Sequence, residues 1–127
     1  MQVIEGDVHD PLCATYQTLE VARLNAVLRA CGIADVKVRR QICEQYFFDA
    51  GYFLDSGWFS EQGRKFRPGV YFIEVGAAKP TEDQALLLPD SSIGTMFHVY
   101  AHGAAAWLFD DHREDASEIE TGDINEV

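Results

Sequence analysis

The sequence predicts an α+β protein of two layers, in which an amino-terminal antiparallel helical hairpin packs on a small, mainly antiparallel β-sheet. Three observations predict it. Residues 11–31 and 35–54 carry apolar side chains at helical steps of three and four, with a break of only a few residues between them. After Gly57 that period gives way to short β-branched and aromatic runs separated by glycine and proline. Ten of the fifteen aromatic side chains fall between Tyr46 and Phe72, which places the heart of the fold where the two patterns meet.

The first helix should begin at Asp10-Pro11, an N-cap acceptor followed by proline at the first helical position, and stop at Gly32. Leu12, Cys13, Tyr16, Leu19, Leu24, Val27, Leu28 and Cys31 gather on one half of it. The second should start at Asp35, run with Val36, Ile42, Cys43, Tyr46, Phe47, Ala50, Phe53 and Leu54 on its apolar side, and end at the Asp55-Ser56-Gly57 turn, although Gly51 offers an earlier stop. Val70 to Val75, preceded by Pro68-Gly69, read as the central strand, with Trp58-Phe59 as partner and Glu61-Gln62-Gly63 as the turn between them. Residues 76–83 read as a loop. Ala85 to Leu88 form a short apolar run, and Thr95 to Ala101 alternate as a strand that a turn at His102-Gly103 would return through Ala104 to Phe109. The competing reading of that last stretch is a helix, which its alanines favour and Gly103 opposes.

At 127 residues the chain is of single-domain length. We divide it into an α+β domain, 1–109, and an acidic tail, 110–127, which holds eight acids against Arg113 alone and so accounts for −7 of the net charge of −11. The tail is either a solvated terminus or an arm that docks on a basic patch, the protein's own or a partner's. A field of this sign speaks against nucleic acid and anionic membrane as partners, and no apolar run approaches the ~20 residues of a bilayer span. The first residues, with acids at Glu5, Asp7 and Asp10, do not read as a secretory signal. Cys13, Cys31 and Cys43 are odd in number and without C-x-x-C spacing, which fits packing thiols in a cytoplasmic protein better than a disulfide framework or a zinc site.

Several residues stand out as site candidates. Arg64, Lys65 and Arg67 form the densest basic cluster, interleaved with Phe59 and Phe66 and close to Trp58, a combination that holds anions or stacks on planar groups. Its structural alternative is a solvated turn whose charges offset the tail. His98 and His102, four apart, share one face of a helix or a strand and are the weak metal candidates, with Glu74 or His112 as a third ligand; no cofactor motif is present. Glu20 and Arg39 interrupt the apolar sides of the two helices. About a hairpin midpoint near 33 they are offset by roughly 10 Å along the axis, so they should not pair. We expect Glu20 to accept a hydrogen bond from Tyr46, with its pKa raised toward the range of a general acid, and Arg39 to reach water. Lys37, Arg39 and Arg40 lie in the first turn of the second helix, where positive charge opposes the helix dipole; contact with the acidic tail would explain them.

No G-x-G-x-x-G, P-loop, H-E-x-x-H or G-x-S-x-G pattern is present. The sequence therefore favours a non-catalytic binding or regulatory module for a protein partner with a basic surface. The alternative is a small-molecule binder or small enzyme whose pocket is made from Tyr46, Tyr52, Trp58 and Tyr71, and self-association through exposed aromatics is a third reading.

Overall fold

The computed structural model describes residues 2–6, 9–75, 85–89 and 95–123. The elements follow the order β1 (Gln2–Glu5), α1 (His9–Ala30), α2 (Val36–Ser56), β2 (Phe59–Glu61), β3 (Arg64–Phe66), β4 (Phe72–Ile73), β5 (Ala85–Leu88) and α3 (Phe97–Ala106), which continues into a π-helical turn over Trp107–Asp111. The class is α+β, with two amino-terminal helices packed together. The loop expected over 76–83 lies outside the described residues.

Helices α1 and α2 form the hairpin that the short break at Gly32 requires; Gly32 itself takes a φ of +94°. Asp35 caps α2 by accepting from the Lys37 amide at 2.8 Å. The Cys43 thiol faces the Val21 carbonyl, and Arg39 Nε donates to Asn25 Oδ1 at 2.8 Å. Both pairs place the hairpin midpoint at residue 32, one position from that expected.

The stretch expected to form a β-hairpin over 95–109 is instead α3 and its π turn. The alternation of Thr95, Phe97, Val99 and Ala101 concealed a helical spacing, since the buried residues are Phe97, Ala101, Ala104, Ala105 and Leu108. Small side chains on that face let α3 settle against both other helices. The closest approach is at Gly51, where a Cβ would stand 2.6 Å from the His98 amide nitrogen. Gly103, which opposed a helix, faces open space, where its cost is about 1 kcal/mol relative to alanine. The core thus lies among three helices, with Val21, Cys43, Phe47, Ala101, Ala104 and Leu108 at its centre.

The sheets are smaller than expected. The central strand shrinks to Phe72–Ile73, which pairs antiparallel with β5, and β5 pairs in parallel with β1, a strand the local pattern did not reveal. Phe72 packs on His9 and Tyr16 of α1, and His9 Nε2 donates to the Val70 carbonyl at 2.9 Å. Trp58 lies outside any strand, and β2 pairs not with residues 70–75 but with β3 directly after it. Gln62 and Gly63, at φ +50° and +75°, make a two-residue turn of the primed kind that matches strand twist. Arg64 and Lys65 therefore sit on a strand rather than in a turn before one.

Beyond α3, Arg113 and Glu114 take left-handed backbone conformations, the Glu114 amide donates to the Leu108 carbonyl at 2.7 Å, and the chain turns back across α1. Ile119 lies between two grooves on that helix, one of about 510 Å³ bordered by Thr18, Tyr100 and Trp107 and one of about 520 Å³ bordered by Leu19, Arg23 and Ala116.

Candidate functional site

The buried side of α2 advances in steps of four through Arg39, Cys43, Phe47 and Gly51, with the Asp55 side chain continuing it. Steps of four overshoot a full turn by about 40°, so the buried line winds slowly around the helix and leaves aromatic residues on both of its flanks. Tyr46 and Phe53 stand on one flank, Phe48 and Tyr52 on the other, and all four are exposed. The chain then passes Gly57, whose Cα lies against the Phe53 ring, into Trp58 and the β2–β3 hairpin.

Every residue of that hairpin is exposed. Its register puts Phe59, Glu61, Arg64 and Phe66 on one face, with the two phenylalanine rings 5.9 Å apart and the Arg64 guanidinium 5.6 Å from the Phe66 ring. Trp58, Ser60 and Lys65 take the other, where the Lys65 ammonium lies 4.5 Å from the Trp58 ring. Arg67 continues that face and donates from Nη2 to the Asp55 carbonyl at 2.8 Å. Among the described residues, none of these three cations is in an ion pair with a carboxylate. The structure thus brings Trp58, Arg64, Lys65 and Arg67 together, as the sequence suggested, and adds Phe59 and Phe66 as their apolar partners.

Tyr46 and Glu20 are not part of this group, and among the described residues they share no hydrogen bond. The midpoint at 32 sets Glu20 opposite position 44, and Tyr46 turns its ring onto Phe47. Burial does raise the Glu20 pKa, against the pull of Arg23.

His98 and His102 face one way but do not converge, because each has its own carboxylate. His98 Nδ1 donates to Asp55 Oδ2 at 2.5 Å, and His102 Nδ1 lies 3.4 Å from Glu44 Oε2. Among the described residues, no three His, Cys, Asp or Glu side chains are placed to hold a metal ion. Asp55 also accepts from the Thr95 hydroxyl and from the Phe97 and His98 amides, which makes it the cap of α3 supplied by another helix. Burial works to raise its pKa, and the hydrogen bonds from His98, Thr95 and Phe97 overcome that and hold it below the usual carboxylate range. Phe48 and Tyr52 rest against the His98 ring at 5.7 and 5.3 Å.

A second imidazole meets a thiol. His9 Nδ1 lies 3.2 Å from Cys13 Sγ, in the manner of a cysteine nucleophile and its base. Both groups are buried, and burial pushes the thiol up to about 12, so it stays protonated and acts as a weak donor within the core. Cys43 is likewise pushed up to about 11 by burial. Cys31, expected to pack with the others, is exposed at the end of α1.

Arg39 was expected to reach water and is instead buried, 3% exposed. Its guanidinium donates to Asn25 and to the Ile33 and Ala34 carbonyls, and from Nη2 to Glu114 Oε1 at 2.6 Å; Arg29 and Asn25 share the same oxygen. Arg40 forms a two-pronged pair with Asp110. The basic first turn of α2 is thus explained by the acidic segment, as its sequence suggested, for Arg39 and Arg40. His112 stacks on Trp107 at 3.6 Å and points its two ring nitrogens at the Trp107 carbonyl and the Glu118 carboxylate. Two acceptors are satisfied only by an imidazolium, and the Trp107 carbonyl, with help from Glu118, raises the His112 pKa.

No helix among the described residues is long and apolar enough to cross a membrane. Comparison with protein-family models, with curated proteins and with solved structures gives no match to this chain.

Proposed function

We propose that this chain is a non-catalytic binding module that engages a protein partner through the exposed aromatic side chains that extend from both flanks of the carboxyl-terminal half of α2 onto the β2–β3 hairpin. The observation that carries this reading is the exposure of those side chains: Tyr52 and Trp58 are 56 and 52% exposed, Phe48, Phe53, Phe59 and Phe66 stand open as well, and so, apart from the hairpin group, do Tyr46 and Tyr71 at 58 and 59%. Large apolar surface left open in a chain with a complete core is surface held for a partner, and tryptophan, tyrosine and arginine are the residues from which strong contacts are built. Side chains this open do not wall a closed chamber, which favours a protein partner over the small-molecule pocket these aromatics could otherwise have formed.

A partner with a basic surface was expected from the charge of residues 110–127. Among the described residues, Asp110 and Glu114 are paired with arginines, Glu118 with His112, and Asp115 accepts from the Ser117 amide, so much of that charge is engaged within the chain. The reading therefore rests on the exposed aromatic side chains and not on the tail. Its test is affinity capture from the native host with the wild-type chain and a Trp58→Ala/Phe66→Ala variant, both shown by circular dichroism to be folded. We expect a protein retained by the wild type at stoichiometric yield and lost from the variant. Recovery of the same proteins by both would remove the basis of the proposal.

A further inference from the structure

We infer that the free edge of β3 takes up an extended acidic segment of the partner as a third strand, with carboxylates on one face of the enlarged sheet and apolar side chains on the other. The inference rests on the binding reading above and names the chemistry of what is bound. The hairpin is a two-stranded sheet without a covered face, a unit that is marginal alone and gains most from a further strand. In a two-residue hairpin the closing pair, here Glu61 and Arg64, exchanges both ladder hydrogen bonds. The next residue, Lys65, therefore directs its own N–H and C=O outward to the unpaired edge. That row of backbone groups complements another peptide backbone.

Charge supplies the second argument. Arg64, Lys65 and Arg67 are three of only ten lysines and arginines in a chain of net charge −11, and they are exposed and without carboxylate partners among the described residues. By contrast Arg29, Arg39 and Arg40 are neutralised internally. Open cations beside open rings await anionic groups on an otherwise apolar segment.

The alternation of a strand then fixes the order of side chains. A residue opposite Lys65 shares its face with Trp58 and Arg67 and should be acidic. Its neighbour opposite Phe66 shares the face of Phe59 and Phe66 and should be apolar, and the next residue, facing Arg67, should again be acidic. An acid–apolar–acid order occurs in the chain itself at Glu118-Ile119-Glu120, but there Ile119 lies on α1 and Glu118 binds His112. The occupant is accordingly placed on another protein.

The test titrates the full chain with a fluorescently labelled peptide of alternating glutamate and leucine, an isomer with the same residues in two blocks, and a labelled oligothymidylate. We expect the alternating peptide to bind about tenfold or more tightly than its isomer, to weaken by a similar factor in the Lys65→Glu variant, and to slow exchange of the Lys65 amide proton. Equal affinity for both peptides, or an unchanged affinity in Lys65→Glu, overturns the inference. Tighter binding of the oligothymidylate overturns it in favour of a nucleic acid, and a doubled mass on sedimentation without peptide overturns it in favour of a second copy. Photo-crosslinkers placed at positions 52 and 66 separate this outcome from the wider reading. Capture from 52 alone, with no peptide bound, defeats strand addition and preserves a protein partner, whereas capture from neither defeats both.

Discussion

Glu114 shows how much can depend on one carboxylate. It is the counter-charge of a guanidinium that has left water, and it serves Asn25 and Arg29 with the same oxygen. Removing one partner of a buried ion pair strands the other, at a cost that exceeds the worth of the pair itself. Because Glu114 is 19% exposed, water would partly replace it, and we expect Glu114→Ala to lower unfolding stability by roughly 2–3 kcal/mol in urea titrations. A loss within experimental error would mean that the Ile33, Ala34 and Asn25 oxygens alone satisfy Arg39. The pH dependence follows from the same groups. Arg39 holds the Glu114 pKa below its ordinary value, Arg40 does so for Asp110, and Asp55 is also lowered. A lowered folded-state value gives stability that is present above the unfolded carboxylate range, near pH 4, and lost as pH falls through the folded value. His112 is raised, so its contribution is complete below the unfolded histidine value of about 6.5 and fades as pH rises through the folded one. The urea midpoint should therefore be greatest between about pH 5 and 6.5, and Glu114→Ala should flatten the acid limb while leaving the upper one in place.

The elements differ in how openly the sequence announced them. The start of α2 was legible because Asp35 is a local signal whose acceptor finds an amide two residues on. The pairing of Arg39 with the acidic segment was legible as a misplaced charge, whereas its burial was not, because two of its side-chain partners come from afar, Asn25 on the other helix and Glu114, 75 residues away. Helix α3 was misread because Phe97, Val99 and Ala101 satisfy a period of two before the period of 3.6 asserts itself at Ala104, Ala105 and Leu108. The deciding contact is again non-local, since Gly51 opens the space that α3 fills. Gly51→Ala would put a methyl group within 3 Å of the His98 amide nitrogen and the Phe97 carbonyl carbon, both backbone atoms that cannot rotate aside. We expect it to cost about 3 kcal/mol and to raise exchange rates at the start of α3, whereas alanine at the solvent-facing Gly103 should stabilise that helix by about 1 kcal/mol. A neutral result would show that α3 can slide along α2. In the candidate site, the hairpin cations, Trp58 and the turn at Gln62-Gly63 were visible, but the strand that returns from that turn is Arg64–Phe66 rather than Val70 to Val75.

At the scale of the whole molecule, the acidic segment is a strap across α1, fastened by Arg39, Arg40 and Arg29 and by the Trp107–His112 stack. A chain ending at Asp111 would lose Glu114 and the cover that Ala116 and Ile119 give the helices, while keeping the Arg40–Asp110 pair. We expect its melting temperature to fall by about 10 °C and its remaining stability to respond differently to added salt than that of the full chain. Unchanged melting in both respects would reduce the strap to a solvated terminus.

The open thiol at the end of the first helix has a practical bearing on these measurements. Two copies that meet there in air can become covalently joined through Cys31 while Cys13 and Cys43 stay sealed in their interiors. Such a species would mimic genuine dimerisation and add a spurious heavy band to any weighing of the molecule. Samples should therefore be kept with a reductant, and a Cys31→Ser chain should keep the light mass without one.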